Sequence, residues 1–383
     1  MAQSIPLSMA GPIGEKLKRS RLAKGFSTRE VSRLIADRFS VTHATLSNYE
    51  AARTTPPMAT LEILASFYGR PLTWFFESGP ILANVNYRNL KSRSRVSDLQ
   101  RFEADAQRWI EAYWRIETYL GVHLKSKHSD FARWPREESG QSLAVRLRQK
   151  LKVSDREPLR SVAALFDEFG IRAMELETDL AVDGLAARFG EEYVIVLNPS
   201  LASDRSRMNA AHELGHVLLG DCDKDCGHGD SIAERRAYEF ASHLLIPDSE
   251  LEAAFAGRSM VRLVKAKEHF GISLQAMIYR AEQAGFIPKS TAKWLWVEFA
   301  KRGWRKREPG NVLPDRATRF EDILDSAVGK GLLTWEDAAK VMRVPEDELH
   351  LRMRIALGRG EDTPSEGDEN ANDGPAILSF IAR

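Results

Sequence analysis

The stretch Met208-Asn209-Ala210-Ala211-His212-Glu213-Leu214-Gly215-His216-Val217-Leu218-Leu219 constrains this chain more than any other. It places His-Glu-x-x-His on an apolar, uninterrupted helical background. Histidines four apart share one helix face, one turn apart, so both can reach a single metal ion. Glu213 sits one position round, where it can reach a water activated by that metal. Histidine is scarce, 9 in 383 residues, so a chance match has odds on the order of one in a hundred. Ala210, Ala211, Leu214, Val217 and Leu218 make a buried face, and Gly215 leaves room beside the backbone. Gly220 and Asp221 end the helix. The pattern is that of a zinc hydrolase, which needs about three protein ligands and an open position.

A third ligand must come from elsewhere. The run from Ile232 to Pro247 reads as a helix with Ala233, Ala237, Phe240, Ala241 and Leu244 on one face. Glu234 shares that inward face, where a carboxylate is costly unless paired or metal-bound. This favours Glu234 over Glu239, which lies further round and is expected, with Arg236, to face solvent. Cys222, Cys226 and His228 lie between the two helices and are expected in a mobile polar loop. Metal binding or redox sensing is the alternative for that cluster.

The chain carries net charge +1, but unevenly. Residues 1–76 hold ten Lys/Arg against five acids, a net +5, and residues 84–101 add five against one. A basic N-terminal third points to nucleic acid. Two cysteines make no disulfide framework, no apolar run reaches membrane-spanning length, and no signal peptide is read. A cytoplasmic location is expected.

Periodicity predicts helices over 13–24, from Ser27-Thr28-Arg29-Glu30 (a capping box), over 42–50 and over 58–68, closed by Leu72, Trp74, Phe75 and Phe76. A compact helical bundle with a short central turn suits a helix-turn-helix module. Residues 77–140 read as a basic and helical connector, with a long amphipathic helix over 97–120. From 141 a second globular pattern begins, with strands over 171–176, 184–189 and 192–199 and a turn at Gly190. Residues 193–198 are the candidate outer strand for pairing with an extended substrate. Residues 251–357 read as mostly helical, and 358–375 carry six acids and read as a disordered tail. The expected fold is therefore mainly α and multidomain: a helix-turn-helix bundle, a central α+β domain beside the His-Glu-x-x-His helix, and a C-terminal helical domain.

Residues 13–76 resemble the Xre-type DNA-binding domain, notably Leu46-Ser47-Asn48-Tyr49-Glu50 and the Pro56 loop. The stretch between Val31 and Leu46 is longer than the usual spacing, and its turn lacks the usual glycine. The resemblance implies that the recognition helix enters the major groove of a double-stranded operator. It would set His43, Ala44, Thr45 and Asn48 toward base edges and Thr28, Arg29 and Arg53 toward phosphates.

Residues 143–247 resemble the ImmA/IrrE family of metallopeptidases. The matching pieces are Pro158-Leu159, Phe169-Gly170-Ile171, Leu197-Asn198-Pro199, the His212–His216 motif, Glu234-x-x-Ala237-x-x-Phe240-Ala241 and Leu244-Leu245-Ile246-Pro247. The resemblance implies Zn²⁺ on His212, His216 and Glu234, with Glu213 as general base. Tyr238, His243 and His228 are the candidates for stabilising the oxyanion. The string from Gly303 to Pro309 also recurs in such fusions, where sensing or dimerisation is its expected role. The implied function is a zinc endopeptidase cleaving an Xre-type repressor, either the product of a neighbouring gene or the chain's own linker near 77–97. Stress, mobile-element, phage-defence or toxin–antitoxin genes would respond. A homodimer and a single-stranded DNA activator are further expectations. The alternative is a repressor or antitoxin whose peptidase-like domain senses a ligand without significant cutting.

Overall fold

The computed structural model describes residues 10–37, 39–77, 79–89, 96–125, 127, 134, 139–180, 182–223, 231–257, 259–305 and 307–356. Cys226, His228 and the acidic tail lie outside these residues.

The N-terminal helices are α1 (Ala10–Ala23), α2 (Thr28–Leu34), α3 (His43–Glu50) and α4 (Met58–Tyr68), followed by a 3₁₀ turn over Leu72–Phe76. Ser27 caps α2 in a reciprocal box with Glu30, and Thr42 caps α3 by accepting from the Thr45 amide. Each cap satisfies an amide that the helix start leaves open. Ile13, Val31, Leu46, Leu61, Leu64 and Phe75 form the core. The long interval between α2 and α3 is packed: Ile35 and Val41 are buried, and the Ser32 hydroxyl donates to the Val41 carbonyl at 2.5 Å. The extra residues thus extend the turn without withdrawing α3 from the surface.

The rest of the described chain is built around one sheet. Its strands are β1 (Leu82–Asn89), β2 (Arg172–Glu175), β3 (Val182–Phe189) and β4 (Glu192–Leu197), in the order β1-β3-β4-β2. β3 pairs antiparallel with β1 and β4, and β2 pairs parallel with β4. β4 is therefore interior. The expectation that residues 193–198 form an outer, substrate-pairing strand is corrected, because both of its ladders are already filled. Strands alternate between two covered faces, which is why they read as continuous apolar runs. Tyr193, Ile195 and Leu197 point to one core, Val194 and Val196 to the other.

On the first face lie α6 (Gly140–Lys150), α7 (Ala163–Phe169), the motif helix α8 (Ser203–Leu218), α9 (Ser231–Leu245), α10 (Asp248–Phe255), α11 (Met260–Phe270), α12 (Leu274–Gln283) and α13 (Lys289–Lys301). On the second lie α5 (Val96–Leu120), α14 (Arg319–Gly329), α15 (Trp335–Met342) and α16 (Glu346–Ala356). The helical C-terminal third is thus divided between two cores. The stretch read as a connector supplies an edge strand and a buried helix: Phe102, Ala106, Trp109, Tyr113 and Ile116 of α5 cover the sheet.

The N-terminal bundle rests on α5. Arg19 donates to Gln107 at 2.9 Å and Trp74 Nε1 donates to Glu111 at 2.9 Å. Lys16 donates to the Glu77 carbonyl at 2.6 Å, and Arg343 of the turn after α15 pairs with Glu77.

Candidate metal centre

The motif forms the C-terminal half of α8, where His212 and His216 are both buried. Their Nε2 atoms stand 3.1 Å apart. One buried contact helps seat α8 under the sheet. The buried Asn209 amide donates to the Asp183 carbonyl of β3 at 2.6 Å, and Gly184 makes room for it. A Cβ on Gly184 would stand 2.9 Å from the Asn209 amide nitrogen.

α9 crosses α8 at Gly215. A Cβ there would come within 2.9 Å of Phe240 and 3.3 Å of the Ala237 Cα, so the absent side chain sets the helix separation. That separation brings Glu234 to 3.3 Å from His212 Nε2 and 3.5 Å from His216 Nε2. Three donors on a tetrahedron around an ion at ~2.1 Å stand about 3.4 Å apart. The three observed spacings bracket that value, so nitrogen–nitrogen–carboxylate donors of this set fit a zinc-sized ion.

The electrostatics agree with a cation site. Burial penalises a charged His216, but hydrogen bonds from its ring to Asp221 and Glu234, with the Glu213 charge nearby, hold its pKa up at about 10. Burial works against ionised Glu234 too, and the two histidines outweigh it, holding the carboxyl well below the usual range. Without a metal the cluster retains a proton that an incoming cation must displace. Glu213 is fully buried on the same turn.

Sequence reasoning missed Asp221. Gly220 turns the chain in the left-handed region at φ +78°, and the 3₁₀ turn Asp221–Asp223 folds back. Asp221 then accepts from His216 Nδ1 at 2.9 Å. This fixes the tautomer that leaves Nε2 facing the metal. Its signal in the sequence is a carboxylate five residues after the second histidine, which local rules alone read as a helix stop. We expect Asp221→Ala to weaken zinc binding by about 10–100-fold, measured by competition with a chromogenic chelator. Unchanged affinity would remove this role.

The same turn is held from the N-terminal side. Asn84 of β1 donates to the Cys222 carbonyl at 3.0 Å, and Tyr193 donates to Asp223 at 2.5 Å. Cys222 is buried, and burial pushes its thiol pKa well up. It therefore does not share the mobile polar loop expected for the Cys222–His228 cluster.

Of the oxyanion candidates, Tyr238 lines the cleft that opens onto His212 and Glu234, with its ring edge-on to Tyr279 at 5.8 Å. His243 does not line it. Its Nδ1 is bonded to the Glu239 carbonyl at 2.8 Å, and burial with nearby Arg280 lowers its pKa. His228 lies outside the described residues. Glu239, expected to face solvent, is partly buried and accepts from the Gly140 amide at 3.1 Å, at the start of α6.

Residues 166–282 match the family model described as the IrrE N-terminal-like domain, a peptidase family, and residues 12–73 match that of a helix-turn-helix domain. The chain joins a helix-turn-helix domain to an IrrE-like peptidase domain. Members of this peptidase family are typically metal-dependent. Comparison with curated proteins finds no match. The IrrE-like match starts in α7 and runs through α12, so it includes the whole donor set and one wall of the cleft.

In the helix-turn-helix domain His43, Ala44, Arg29 and Arg53 are exposed, while Thr28, Thr45 and Asn48 are half-buried. Thr45 is bound to the Thr42 cap, and Arg53 approaches Asn48 at 3.5 Å. Among the described residues no helix is long and apolar enough to cross a membrane.

Proposed function

We propose that this fusion is a DNA-binding regulator whose IrrE-like domain is a zinc-dependent endopeptidase, cutting an Xre-type repressor. The donor triangle of His212, His216 and Glu234 carries the reading, since its spacings suit one tetrahedral ion. When bound there, zinc supplies the Lewis acidity that activates water against a peptide carbonyl. Glu213 accepts the proton that water loses and delivers it to the departing amine. Tyr238, on the cleft wall, is the group available to donate to the developing oxyanion. Asp221 keeps the His216 ring oriented throughout.

A separate substrate is favoured over the chain's own linker. Residues 82–89 are held in the β1–β3 ladder, and an extended segment must leave that ladder before it can be cut. The test is to incubate zinc-loaded protein with the helix-turn-helix product of the adjacent gene, with and without a chelator. Discrete fragments that vanish on metal removal and return with zinc are expected. An intact partner after long incubation would leave the non-cleaving sensor as the better reading.

The N-terminal domain is proposed to bind a double-stranded operator through α3, with Arg29 and Arg53 on phosphates. Each arginine-to-alanine change is expected to weaken binding equally across sequences and to reduce the salt slope by about one. A titration series in potassium chloride measures both, and an unaltered slope would take these two residues off the backbone.

A further inference from the structure

The string from Gly303 to Pro309 has no part in the chemistry above, yet the fold carries it to the metal centre. Trp304, Arg305, Arg307 and Glu308 line the same cleft of about 1100 Å³ as His212 and Glu234. The segment is fastened there. Trp304 packs edge-on against Phe299 at 5.3 Å. Glu308 accepts from the Leu274 and Gln275 amides at 2.7 and 3.1 Å, capping α12, and from Lys267 at 3.0 Å. Trp304 and Glu308, on either side of Arg305 and Arg307, are thus both anchored.

Its charges do not cancel. Arg205 is matched by Asp183 at 2.8 Å, and Lys267 by Asp204 at 2.6 Å as well as by Glu308. Glu234 faces the two histidines. Arg235, Arg305 and Arg307 remain, all exposed and without an ion pair among the described residues. They come from two separate elements, α9 and the strapped segment, and share one cleft.

We infer that Arg235, Arg305 and Arg307 form a specificity site that selects acidic side chains on a peptide lying across the metal centre. This rests on the peptidase reading for its purpose, but recognition can be measured without cutting. The arginines sit on a high-dielectric rim, where each pairing is weak and several together discriminate by sign. Arginine also offers a planar fork that takes a carboxylate through two hydrogen bonds. A peptide is favoured over nucleic acid because the three arginines stand beside the donor set of a peptidase domain, while the other basic groups of the cleft, Arg205 and Lys267, are already paired and leave no continuous basic track for a run of phosphates.

The test uses the full-length, zinc-loaded Glu213→Gln protein, which traps peptides uncut. The probes are a fluorescein-labelled twelve-mer of repeating glycine, serine and glutamate, its lysine and glutamine counterparts, and a twelve-nucleotide oligo-dT. Anisotropy should show the glutamate peptide binding about tenfold or more tighter than the lysine peptide. The double change R305E/R307E should abolish or invert that preference at unchanged zinc content, and Arg235→Gln, on the other element, should reduce it. Equal binding of the glutamate and lysine peptides overturns the proposal, even if wild-type protein cuts its partner. Tighter binding of oligo-dT than of the glutamate peptide overturns it as well. Charge-selective binding with no cleavage by wild type keeps the specificity site and rejects the peptidase reading instead.

Discussion

Glu213→Gln is expected to lower peptide hydrolysis by about 10²–10⁴-fold while the protein still holds one zinc per chain. Glutamine matches glutamate in shape and keeps the side chain polar, so the buried turn of α8 has no reason to repack. What is lost is the capacity to accept a proton. The three donors, His212, His216 and Glu234, are untouched, and their spacing is set by Gly215, Phe240 and Ala237, none of which the change alters. The Glu213 charge contributes to holding the His216 pKa up, so its removal weakens the pocket's hold on the competing proton as well as on the metal, and assays belong at saturating metal. Fragment yield by mass spectrometry and zinc by elemental analysis separate the two effects. Activity within a few-fold of wild type would take the proton-transfer role from Glu213. Loss of the metal would make the residue a support of the site instead.

The parts of the molecule legible in the sequence are those fixed by local rules. The Ser27–Glu30 capping box, helix α4 over 58–68, the turn at Gly190 and the end of α8 at Gly220 all follow from residues close in the chain. The approach of Glu234 to the histidines was accessible for a related reason: helical periodicity places it on the inward face of α9. Pairings between distant segments left no such trace. Nothing in residues 193–197 distinguishes an edge strand from an interior one, because both faces of the sheet are covered and each of these positions is aliphatic or aromatic. β1 was hidden for the opposite reason. Its Asn84, Asn86 and Arg88 read as a polar connector, while Leu82 and the ladder to β3 make it part of the sheet. Glu239 looked solvent-facing on its own helix and became a cap only when Gly140 met it. Asp221 was visible as a helix stop; its bond to His216 depends on how the following turn folds back. The Gly303–Pro309 string carried its own signal, but its place beside the metal depends on Glu308 reaching α12.

Glu117→Ala is expected to cost about 3–5 kcal/mol of stability, the usual result of removing one member of a buried ion cluster. Glu117 is fully buried in α5, and Arg172 of β2 is 1% exposed. Arg172 Nε donates to Glu117 Oε2 at 2.8 Å, and Arg319 of α14 donates to Oε1 at 2.6 Å. One carboxylate therefore ties together a helix from the connector, a strand of the IrrE-like domain and a helix from the C-terminal third. Burial disfavours the Arg172 charge, and Glu117 is the first of the groups that offset it; an arginine side chain does not give up its proton in a protein, so the guanidinium stays charged and undercompensated when Glu117 is lost. Glu192 remains as a partner at 2.6 Å but sits at the sheet margin and satisfies only Nη1. The other nitrogens of Arg172 are left without their carboxylate, beside the rings of Tyr113 and Phe189, which offer no hydrogen-bond acceptor of comparable strength. Glu117→Gln, which keeps one acceptor oxygen in place, should recover part of the loss. Urea unfolding followed by tryptophan fluorescence reads the loss, and Trp109 of α5, packed against Phe320 of α14, places one of the eight tryptophans in this region. A shift below about 1 kcal/mol, the range of an exposed pair, would mean that packing of α5 on the sheet, and not the ion cluster, holds the three segments together. A shift of the expected size, with zinc affinity unchanged in the folded fraction, would separate the fastening of the scaffold from the metal centre it supports.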